Sequence, residues 1–269
     1  MIIFKSINKL NKEVNFKANI GFVPTMGAIH KGHESLIHRS KKKCKKTLVS
    51  IFINPAQFNK KNDFNRYPRK LANDIKILKR LKVDYLLLPE FKEIYKNKKN
   101  MKISLNKKDK ILCAKYRPGH FEGVLAVINQ FLINIKPKYM FLGDKDYQQV
   151  LLIKNFIKKK FSTKIITCKT IRLKNLIPFS SRNLLLSNNN LKKSMLISAN
   201  LKKLHFLIKK NFEYTYKIEK IKKNISKLGV KLEYLELRNK NNLSRKFNKS
   251  NFKIFIAYYL QNVRLIDNF

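Results

Sequence analysis

The residues with the clearest chemical potential in this chain lie in one short segment, which reads Phe22-Val-Pro-Thr-Met-Gly-Ala-Ile-His-Lys-Gly-His33. An apolar run leads into a glycine-containing turn, and His30 and His33 follow at the predicted start of a helix. Backbone N–H groups point outward at a helix N-terminus, and glycines let a phosphate approach closely. The segment therefore predicts an anion site, because two histidines alone are too few ligands for zinc. The simpler alternative is one helical turn with two polar residues.

Two further segments carry groups that suit a phosphate. Gly143-Asp-Lys-Asp146 places Lys145 between two carboxylates, and its ammonium group can meet a phosphate. Ser180-Ser-Arg-Asn183 places two hydroxyls beside a guanidinium group, and this combination suits a polyphosphate. Taken alone, the first segment is equally typical of a solvated turn and the second of an ordinary helix cap.

Two other segments combine polar side chains with turn residues. Asn54-Pro-Ala-Gln-Phe58 ends a predicted strand with a carboxamide and a ring, which can bind a small polar substrate, or it is a simple strand-ending turn. Arg117-Pro-Gly-His-Phe-Glu-Gly123 precedes a predicted helix and is either a second anion contact or a structural N-cap loop. The chain contains neither GxGxxG nor GxxxxGK[ST], which excludes the usual dinucleotide fingerprint and the P-loop.

Hydrophobic periodicity indicates which elements must position these segments. It predicts strands over 18–24, 47–53, 83–88, 139–142 and 163–168, alternating with helices over 30–43, 70–82, 123–136 and 147–160. This alternation predicts an α/β fold, a parallel sheet with helices on both faces. Ligands of such sheets bind beyond the carboxyl ends of the strands, and the polar segments fall there.

The pattern changes after about residue 169. Helices over 189–211 and 213–227 are predicted to precede strands near 230–238, 252–259 and 262–266, which together indicate an α+β domain. We therefore expect two domains, covering residues 1–169 and 170–269.

Composition excludes several other classes of protein. The 269 residues carry a net charge of +45, with 51 Lys against 10 Arg, but the lysines are spread along the whole chain. Abundant Lys, Asn, Ile and Phe are what A/T-rich codons encode, so we predict no specific nucleic-acid partner. No uncharged apolar stretch approaches the ~20 residues that cross a bilayer, so no membrane segment is expected. Three widely spaced cysteines without a CxxC pair predict a reduced, cytoplasmic protein.

Seven segments in this order resemble the pantoate–β-alanine ligase family, which belongs to the HxGH nucleotidyltransferases, over nearly the whole chain. They are Phe22–His33, Val49–Phe58, Arg66–Arg69, Arg117–Gly123, Gly143–Gln149, Ser180–Asn183 and Arg264–Asn268. Seven collinear motifs are far more specific than any one of them. The resemblance implies a Rossmann-like first domain that binds nucleotide and pantoate, a smaller domain that closes over the ATP site, and a homodimer.

The resemblance also implies a reaction and a set of site residues. ATP and pantoate give pantoyl adenylate and pyrophosphate, and β-alanine then displaces AMP to give pantothenate. The implied catalytic residues are His33, His30, Lys145 and Arg182. Gln57 and Gln149 would bind pantoate, and Asp84 matches a position associated with Mg²⁺. The residues implied to bind ATP are Met26, Gly27, Ala28, Ile29, His30, Lys31, Gly32, His33, Gly143, Asp144, Lys145, Asp146, Ile171, Phe179, Ser180, Ser181 and Arg182.

Two segments depart from the family pattern. The family's Gly-Glu-Lys-Asp is here Gly143-Asp-Lys-Asp146, which is a mild change. The family's Asp-Gly-Leu-Ala-Met is here Asn175-Leu-Ile-Pro-Phe179, so a glycine is lost and Pro178 is gained. We predict a stiffer loop and slow turnover.

Two rival functions remain open at the level of the sequence. A different HxGH adenylyltransferase, acting on phosphopantetheine or a nicotinamide mononucleotide, would keep the turn with His30 and His33, hereafter the histidine turn. Such an activity would not explain the presence of Gln57 and Gln149. A nucleic-acid binder agrees with the charge but lacks a basic block and an aromatic stacking pattern.

Overall fold

The computed structural model describes residues 1–16, 19–95, 103–158, 160–212 and 214–269. Positions 18, 159 and 213, which belong to predicted elements, lie outside the described residues. The chain divides into two compact units. The first comprises Met1–Asp144 and Gln149–Lys169, and the second comprises Lys145–Gln148 and Thr170–Phe269.

The first unit is built on a six-stranded sheet in the order β1-β4-β3-β2-β5-β6, and every pair of neighbours is parallel. Its strands are β1 (Ile2–Phe4), β2 (Ile20–Thr25), β3 (Lys46–Ile51), β4 (Tyr85–Leu87), β5 (Tyr139–Gly143) and β6 (Lys164–Cys168). The helices that accompany them are α1 (Ile7–Glu13), α2 (Lys31–Lys43), α3 (Lys61–Asn65), α4 (Leu71–Arg80), α5 (Phe91–Ile94), α6 (Cys113–Tyr116), α7 (His120–Ile135) and α8 (Tyr147–Ile157).

Helices cover both faces of this sheet, as the alternating pattern predicts. Successive side chains of a strand point to opposite faces. In β2, the Phe22 ring packs edge-on against Phe131 of α7, with centroids 5.4 Å apart. The next residue, Val23, joins the opposite cluster with Ile37 of α2 and Leu78 of α4. A strand covered on both sides must be apolar throughout, which is why β2 reads as a continuous hydrophobic run.

The second unit is α+β. Helices α9 (Asn188–Lys210) and α10 (Thr215–Lys227) precede an antiparallel sheet of β7 (Lys231–Asn239), β8 (Phe252–Leu260) and β9 (Val263–Asn268). Residues of α9 at helical spacing, Ile197, Leu201, Leu204 and Ile208, share one core with the apolar residues of β8. No helix in the described part of the chain combines the length and apolar character needed to cross a membrane.

Candidate active site

The predicted chemical groups of the first unit collect at the carboxyl edge of its sheet. Strand β2 lies between β3 and β5, so the chain order reverses direction at this point. Open α/β sheets bind ligands at such a switch point. The histidine turn follows β2 and the Asn54–Gln57 turn follows β3, and these two strands end in register at Thr25 and Ile51. Gln149 lies in the first turn of α8, shortly after β5.

The two histidines of the turn are stacked on each other. Helix α2 begins at Lys31, and His30 is its N-cap, with its Nδ1 accepting from the Gly32 N–H at 3.1 Å. The proton of a neutral His30 therefore resides on Nε2, which is a hydrogen-bond donor. The rings of His30 and His33 lie 4.0 Å apart at an interplanar angle of 26°. The arrangement presents paired imidazoles at the edge of the sheet.

The backbone of the turn has partners inside the protein. The N–H groups of Ala28 and Ile29 donate to the carboxylate of Asp74 at 2.8 and 2.7 Å. The Gly27 N–H donates to Thr25 Oγ1 at 3.1 Å. Protein oxygens therefore accept from the N–H groups of residues 27–29, and the predicted anion contact at the helix N-terminus, which begins at Lys31, stays a prediction.

Asp74 is a residue of this site that sequence reasoning missed. It lies in the first turn of α4, it is 1% exposed, and burial raises the pKa of its carboxyl group. The available signal was an acidic residue among the apolar positions of the predicted helix, where a charge is rarely buried without a purpose. Gly27 fits this carboxylate closely, since a Cβ there would lie 3.0 Å from Asp74 Oδ2.

Lys31, an implied ATP residue, is exposed at the start of α2. Its ammonium group contacts Glu34 at 2.9 Å, and Arg80 contacts the same carboxylate at 3.3 Å. Glu34 therefore forms ion pairs with both Lys31 and Arg80 beside the histidine turn.

The turn that presents Gln57 is built around a fully buried Asn54. Asn54 Nδ2 donates to the Gly123 carbonyl at 3.1 Å, and its Oδ1 accepts from the Tyr95 hydroxyl at 2.6 Å. Helix α7 approaches so closely that a Cβ at Gly123 would lie 2.0 Å from the Ala56 carbonyl oxygen. Only glycine fits there, and the carboxamide of Asn54 serves as a structural anchor.

Arg117 and His120 hold the same turn from the other side. His120 Nδ1 and Arg117 Nη2 both donate to the Gln57 carbonyl, at 2.6 and 3.2 Å. Arg117 Nη1 lies 3.0 Å from His120 Nε2, which accepts in this tautomer. The structural reading of the 117–123 segment therefore agrees with these contacts, which fix the backbone that carries the Gln57 side chain.

In the second unit, strand β9 contacts the backbone of Lys145, the lysine of the Gly143–Asp146 segment. Lys145 contacts its neighbour Asp146 at 3.3 Å, and its carbonyl accepts from Asn268 Nδ2 at 2.8 Å. The Tyr147 hydroxyl donates to the Lys240 carbonyl at 2.7 Å. The position of Lys145 therefore depends on β9, which carries the motif that ends in Asn268.

Arg172 organises the segment that leads to the serine motif. Its guanidinium makes a bidentate pair with Asp267, both distances being 2.8 Å. It also donates to the carbonyls of Leu176 and Asn268, at 2.8 and 3.0 Å, and lies 4.0 Å from the Phe269 ring centroid. Burial raises the pKa of Asp267, and the adjacent guanidinium opposes that rise. These contacts make Arg172 a structural residue.

The 171–179 segment, which departs from the family pattern, forms a tight hairpin. The Leu173 N–H donates to the Ile177 carbonyl at 2.8 Å, and the Phe179 N–H donates to the Ile171 carbonyl at 3.0 Å. Pro178 faces Arg172 at the position between these two bonds, so its missing N–H costs no hydrogen bond. Leu176 has φ +71°, at the position where the family pattern has glycine. Mobility of this loop stays a prediction.

The serine motif begins a short 3₁₀ turn over Ser181–Leu185. Ser180 Oγ accepts from the Arg182 N–H at 3.3 Å, so this hydroxyl caps the turn, as in the simpler interpretation of the motif as an ordinary helix cap. Ser181 is buried, whereas the Arg182 side chain is partly exposed.

The structure does not bring Asp84, the residue that the resemblance associates with Mg²⁺, to the histidine turn. Asp84 precedes β4, where its oxygens contact Lys46 Nζ and the Thr47 N–H, each at 2.9 Å. These partners lie at the start of β3, and the rise of roughly 3.3 Å per residue puts this amino edge about 17 Å from the edge with the histidines. Within the described residues, no group of three or more His, Cys, Asp or Glu side chains is arranged to hold a metal.

The fold and site together define a class of protein. A parallel α/β sheet whose switch point carries paired histidines, without a P-loop, is typical of a nucleotide-binding enzyme. Comparison with known proteins gives the particular family. The family model for pantoate-beta-alanine ligase matches residues 2–269.

Individual relatives agree with this match over nearly their full length. Pantothenate synthetase of Francisella tularensis subsp. mediasiatica is 42% identical over 98% of this chain and 94% of its own. A crystal structure of the Francisella tularensis pantoate-beta-alanine ligase, complexed with beta-gamma ATP and beta-alanine, is 39% identical, with a TM-score of 0.87 over 100% of this chain and 97% of its own. The crystal structure of pantothenate synthetase from Thermus thermophilus is 27% identical, with a TM-score of 0.91 over 100% of this chain and 99% of its own.

The chain therefore belongs to the pantoate–β-alanine ligase family. It is an enzyme that forms an amide bond, by ATP-dependent ligation of pantoate with β-alanine, and the adenylate intermediate is standard for this family. The predicted fold class and reaction are confirmed.

Proposed function

We propose that His30 and His33 act on the phosphates of ATP during formation of pantoyl adenylate. A pantoate carboxylate oxygen attacks the α-phosphorus, and pyrophosphate leaves. The enzyme must orient the two reactants and stabilise the charge that builds on the phosphate oxygens. The single observation that carries the proposal is the stacked imidazole pair, in which His30 Nδ1 accepts from the Gly32 N–H, so that a neutral ring carries its proton on Nε2. His33 is proposed as the proton donor on the strength of the family resemblance.

Pantoate is proposed to bind to the two glutamines of the first unit. The carboxamides of Gln57 and Gln149 offer both donors and acceptors, which suit the hydroxyl and carboxylate groups of pantoate. The rigid support of Gln57 by Arg117, His120 and Asn54 favours this role, since a precise substrate contact requires a fixed backbone. Gln57 is also proposed to border the β-alanine site.

The second unit is proposed to supply cations and hydroxyls for the triphosphate. Lys145 and Arg182 are the cations, Ser180 and Ser181 the hydroxyls, and Asp146 lies on the ribose side. Charge-assisted hydrogen bonds of this kind are the strong ones. The anchoring of the Lys145 carbonyl by Asn268 supports a fixed position for this residue. Met26, Gly27, Ala28, Ile29, Lys31, Gly32, Gly143, Asp144, Ile171 and Phe179 are proposed to line the nucleotide site.

Magnesium is proposed to enter as part of the nucleotide substrate. Asp84 does not fit as its ligand, because its two oxygens already bind Lys46 and a backbone N–H at the amino edge of the sheet. Magnesium keeps several waters and is commonly held by substrate phosphates with few protein ligands. We therefore assign it no protein ligand.

A cytoplasmic homodimer is the proposed state of the protein. Cys44, Cys113 and Cys168 are not joined by disulfides, and the first two are buried, which agrees with a reducing compartment. The homodimer rests on the family resemblance alone. Light scattering coupled to size-exclusion chromatography measures it directly.

The test is an assay that follows AMP and pantothenate together. The purified protein should release the two products one-for-one, only when ATP, Mg²⁺, pantoate and β-alanine are all present. His30→Ala and His33→Ala should each lower kcat by about 100-fold. His38→Ala is the matched control, because this histidine lies on the exposed side of the same helix, and it should retain full activity.

Two outcomes would redirect the proposal. Adenylyl transfer to a phosphopantetheine or a nicotinamide mononucleotide, without use of β-alanine, would favour the other HxGH chemistry. Full activity of both alanine variants would show that the imidazoles do not act on the phosphates.

A further inference from the structure

A buried acid lies directly behind the histidine turn and has no place in the proposed chemistry. Asp74 is 1% exposed, and each of its carboxylate oxygens accepts from a different backbone N–H group. These N–H groups belong to the successive residues Ala28 and Ile29, and His30 follows immediately. Successive backbone N–H groups that converge on an anion form a concave nest, and here the anion is part of the protein.

The turn held by Asp74 is conformationally costly. Ala28 has φ +48°, a left-handed conformation that costs a non-glycine residue roughly 1 kcal/mol or more. Burial of the carboxylate adds a desolvation cost, which raises the pKa of Asp74. Costs of this kind persist where the surrounding structure fixes a local geometry, and they cluster at functional sites.

We propose that Asp74 is a positioning residue that fixes residues 27–29 and thereby sets the direction in which His30 and His33 face the substrate. Ala28 and Ile29 lie in the connection between β2, which ends at Thr25, and α2, which begins at Lys31, so their orientation influences where the helix begins. A carboxylate that accepts hydrogen bonds from both N–H groups restricts the backbone conformation of that connection. The inference rests on the proposed role of the two histidines.

The test compares Asp74→Asn with a matched control elsewhere in the sheet. The carboxamide has the same shape but only one accepting oxygen, so one N–H of the turn faces an NH₂ group. We expect kcat for pyrophosphate release to fall by about tenfold or more, since small misplacements of catalytic groups have effects of this size or larger. The KM for pantoate should stay within about twofold, because Gln57 lies on a separate turn.

Asp84→Asn is the control variant. Asp84 also accepts from a backbone N–H at 2.9 Å, but at the opposite edge of the sheet. Its replacement should leave kcat unchanged. If both variants lower kcat equally, or if Asp74→Asn lowers only the melting temperature, Asp74 is merely structural and the inference is overturned.

A double-mutant comparison tests whether Asp74 acts through the histidines. In a His30→Ala/His33→Ala background, Asp74→Asn should lower the residual rate by less than about twofold. An undiminished loss in that background would contradict the inference. If the histidine variants themselves keep full activity, the proposed function fails first and separately. Should Asp74→Asn fail to fold, Asp74→Glu keeps the charge but lengthens the side chain, and it should still lower kcat relative to wild type.

Discussion

Replacement of Asp267 by asparagine should destabilise the second unit strongly. Asp267 is 4% exposed and forms a bidentate pair with Arg172. Its Oδ1 also accepts from the Asn268 N–H at 2.7 Å. An asparagine keeps one accepting oxygen, and its NH₂ group then faces a donor. The guanidinium of Arg172 remains, 19% exposed, without a charged partner.

The magnitude follows from what the variant leaves behind. Removal of one member of a buried ion pair costs about 3–5 kcal/mol. Arg172 keeps two carbonyl acceptors and some access to water, so we expect a loss nearer 2–3 kcal/mol. For a unit of this size, that loss corresponds to a fall of about 10–20 °C in the melting temperature of its transition.

The assay is calorimetric unfolding with two companion variants. Glu219→Gln removes an exposed pair with Lys222 in the same unit and should cost less than about 0.5 kcal/mol. Arg172→Met combined with Asp267→Leu removes both charges and should cost less than Asp267→Asn alone, because no buried charge is left unpaired. A loss below about 1 kcal/mol in Asp267→Asn, or a larger loss in the double variant, would refute the reasoning.

Two further predictions concern the second unit. Leu176→Gly should stabilise the hairpin by about 0.5–1 kcal/mol, because glycine adopts φ +71° without a steric penalty; chemical denaturation measures this, and a destabilised variant would show that the leucine side chain contributes more than the strain costs. Burial, followed by the charges of Lys209 and Lys253, lowers the pKa of His205, so the unfolded state takes up its proton first as the pH falls through about 6.5. Wild type should therefore lose stability below that pH relative to His205→Phe, whose ring can still pack on Phe252, and parallel stability curves from pH 8 to 5 would contradict the assignment.

The arrangement of strands and helices was accessible from the sequence because burial on two faces imposes it. Continuous apolar runs predict β2, β3 and β5, and the structure has them within a few residues of the expected bounds. Strand β1 was missed because it contains three residues, two of which, Ile2 and Ile3, are exposed at the edge of the sheet. Periodicity carries no information over so short a segment.

The location of Asp84 could not be predicted from the sequence for a different physical reason. A position in the chain does not reveal at which end of a parallel strand a side chain lies until the strand bounds are known. The predicted strand over 83–88 placed Asp84 inside the element, whereas β4 begins at Tyr85. Asp84 thus lies at the amino edge, where it binds the backbone of the neighbouring strand.

Some polar motifs contain residues proposed to bind substrate and others contain residues that support the backbone, and only contacts between distant segments distinguish the two. In the sequence, Arg117, His120 and Asn54 look like candidates for binding a substrate or an anion, yet each supports a backbone segment that carries another residue, as Arg172 also does. Sequence separations of 58 to 96 residues join several of these partners, as with Arg117 and Asn59 or Arg172 and Asn268. Local sequence patterns do not reveal such long-range pairings. Local spacing therefore identifies the chemical groups, but it does not distinguish a residue that binds a ligand from a residue that holds the backbone of the binding residue.

Glycine use in this chain follows the same physical division. The chain has only seven glycines, and its composition disfavours them. Gly123 cannot be replaced without a clash, since a Cβ would lie 2.0 Å from the Ala56 carbonyl oxygen. Leu176 occupies a left-handed position where the family pattern has glycine, and there the penalty is conformational, of about 1 kcal/mol. A penalty of that size is tolerable in one hairpin, whereas displacement of α7 would release the turn that carries Gln57. Gly123 therefore marks a turn that the function needs. The loss of glycine at position 176 does not by itself indicate a defective enzyme.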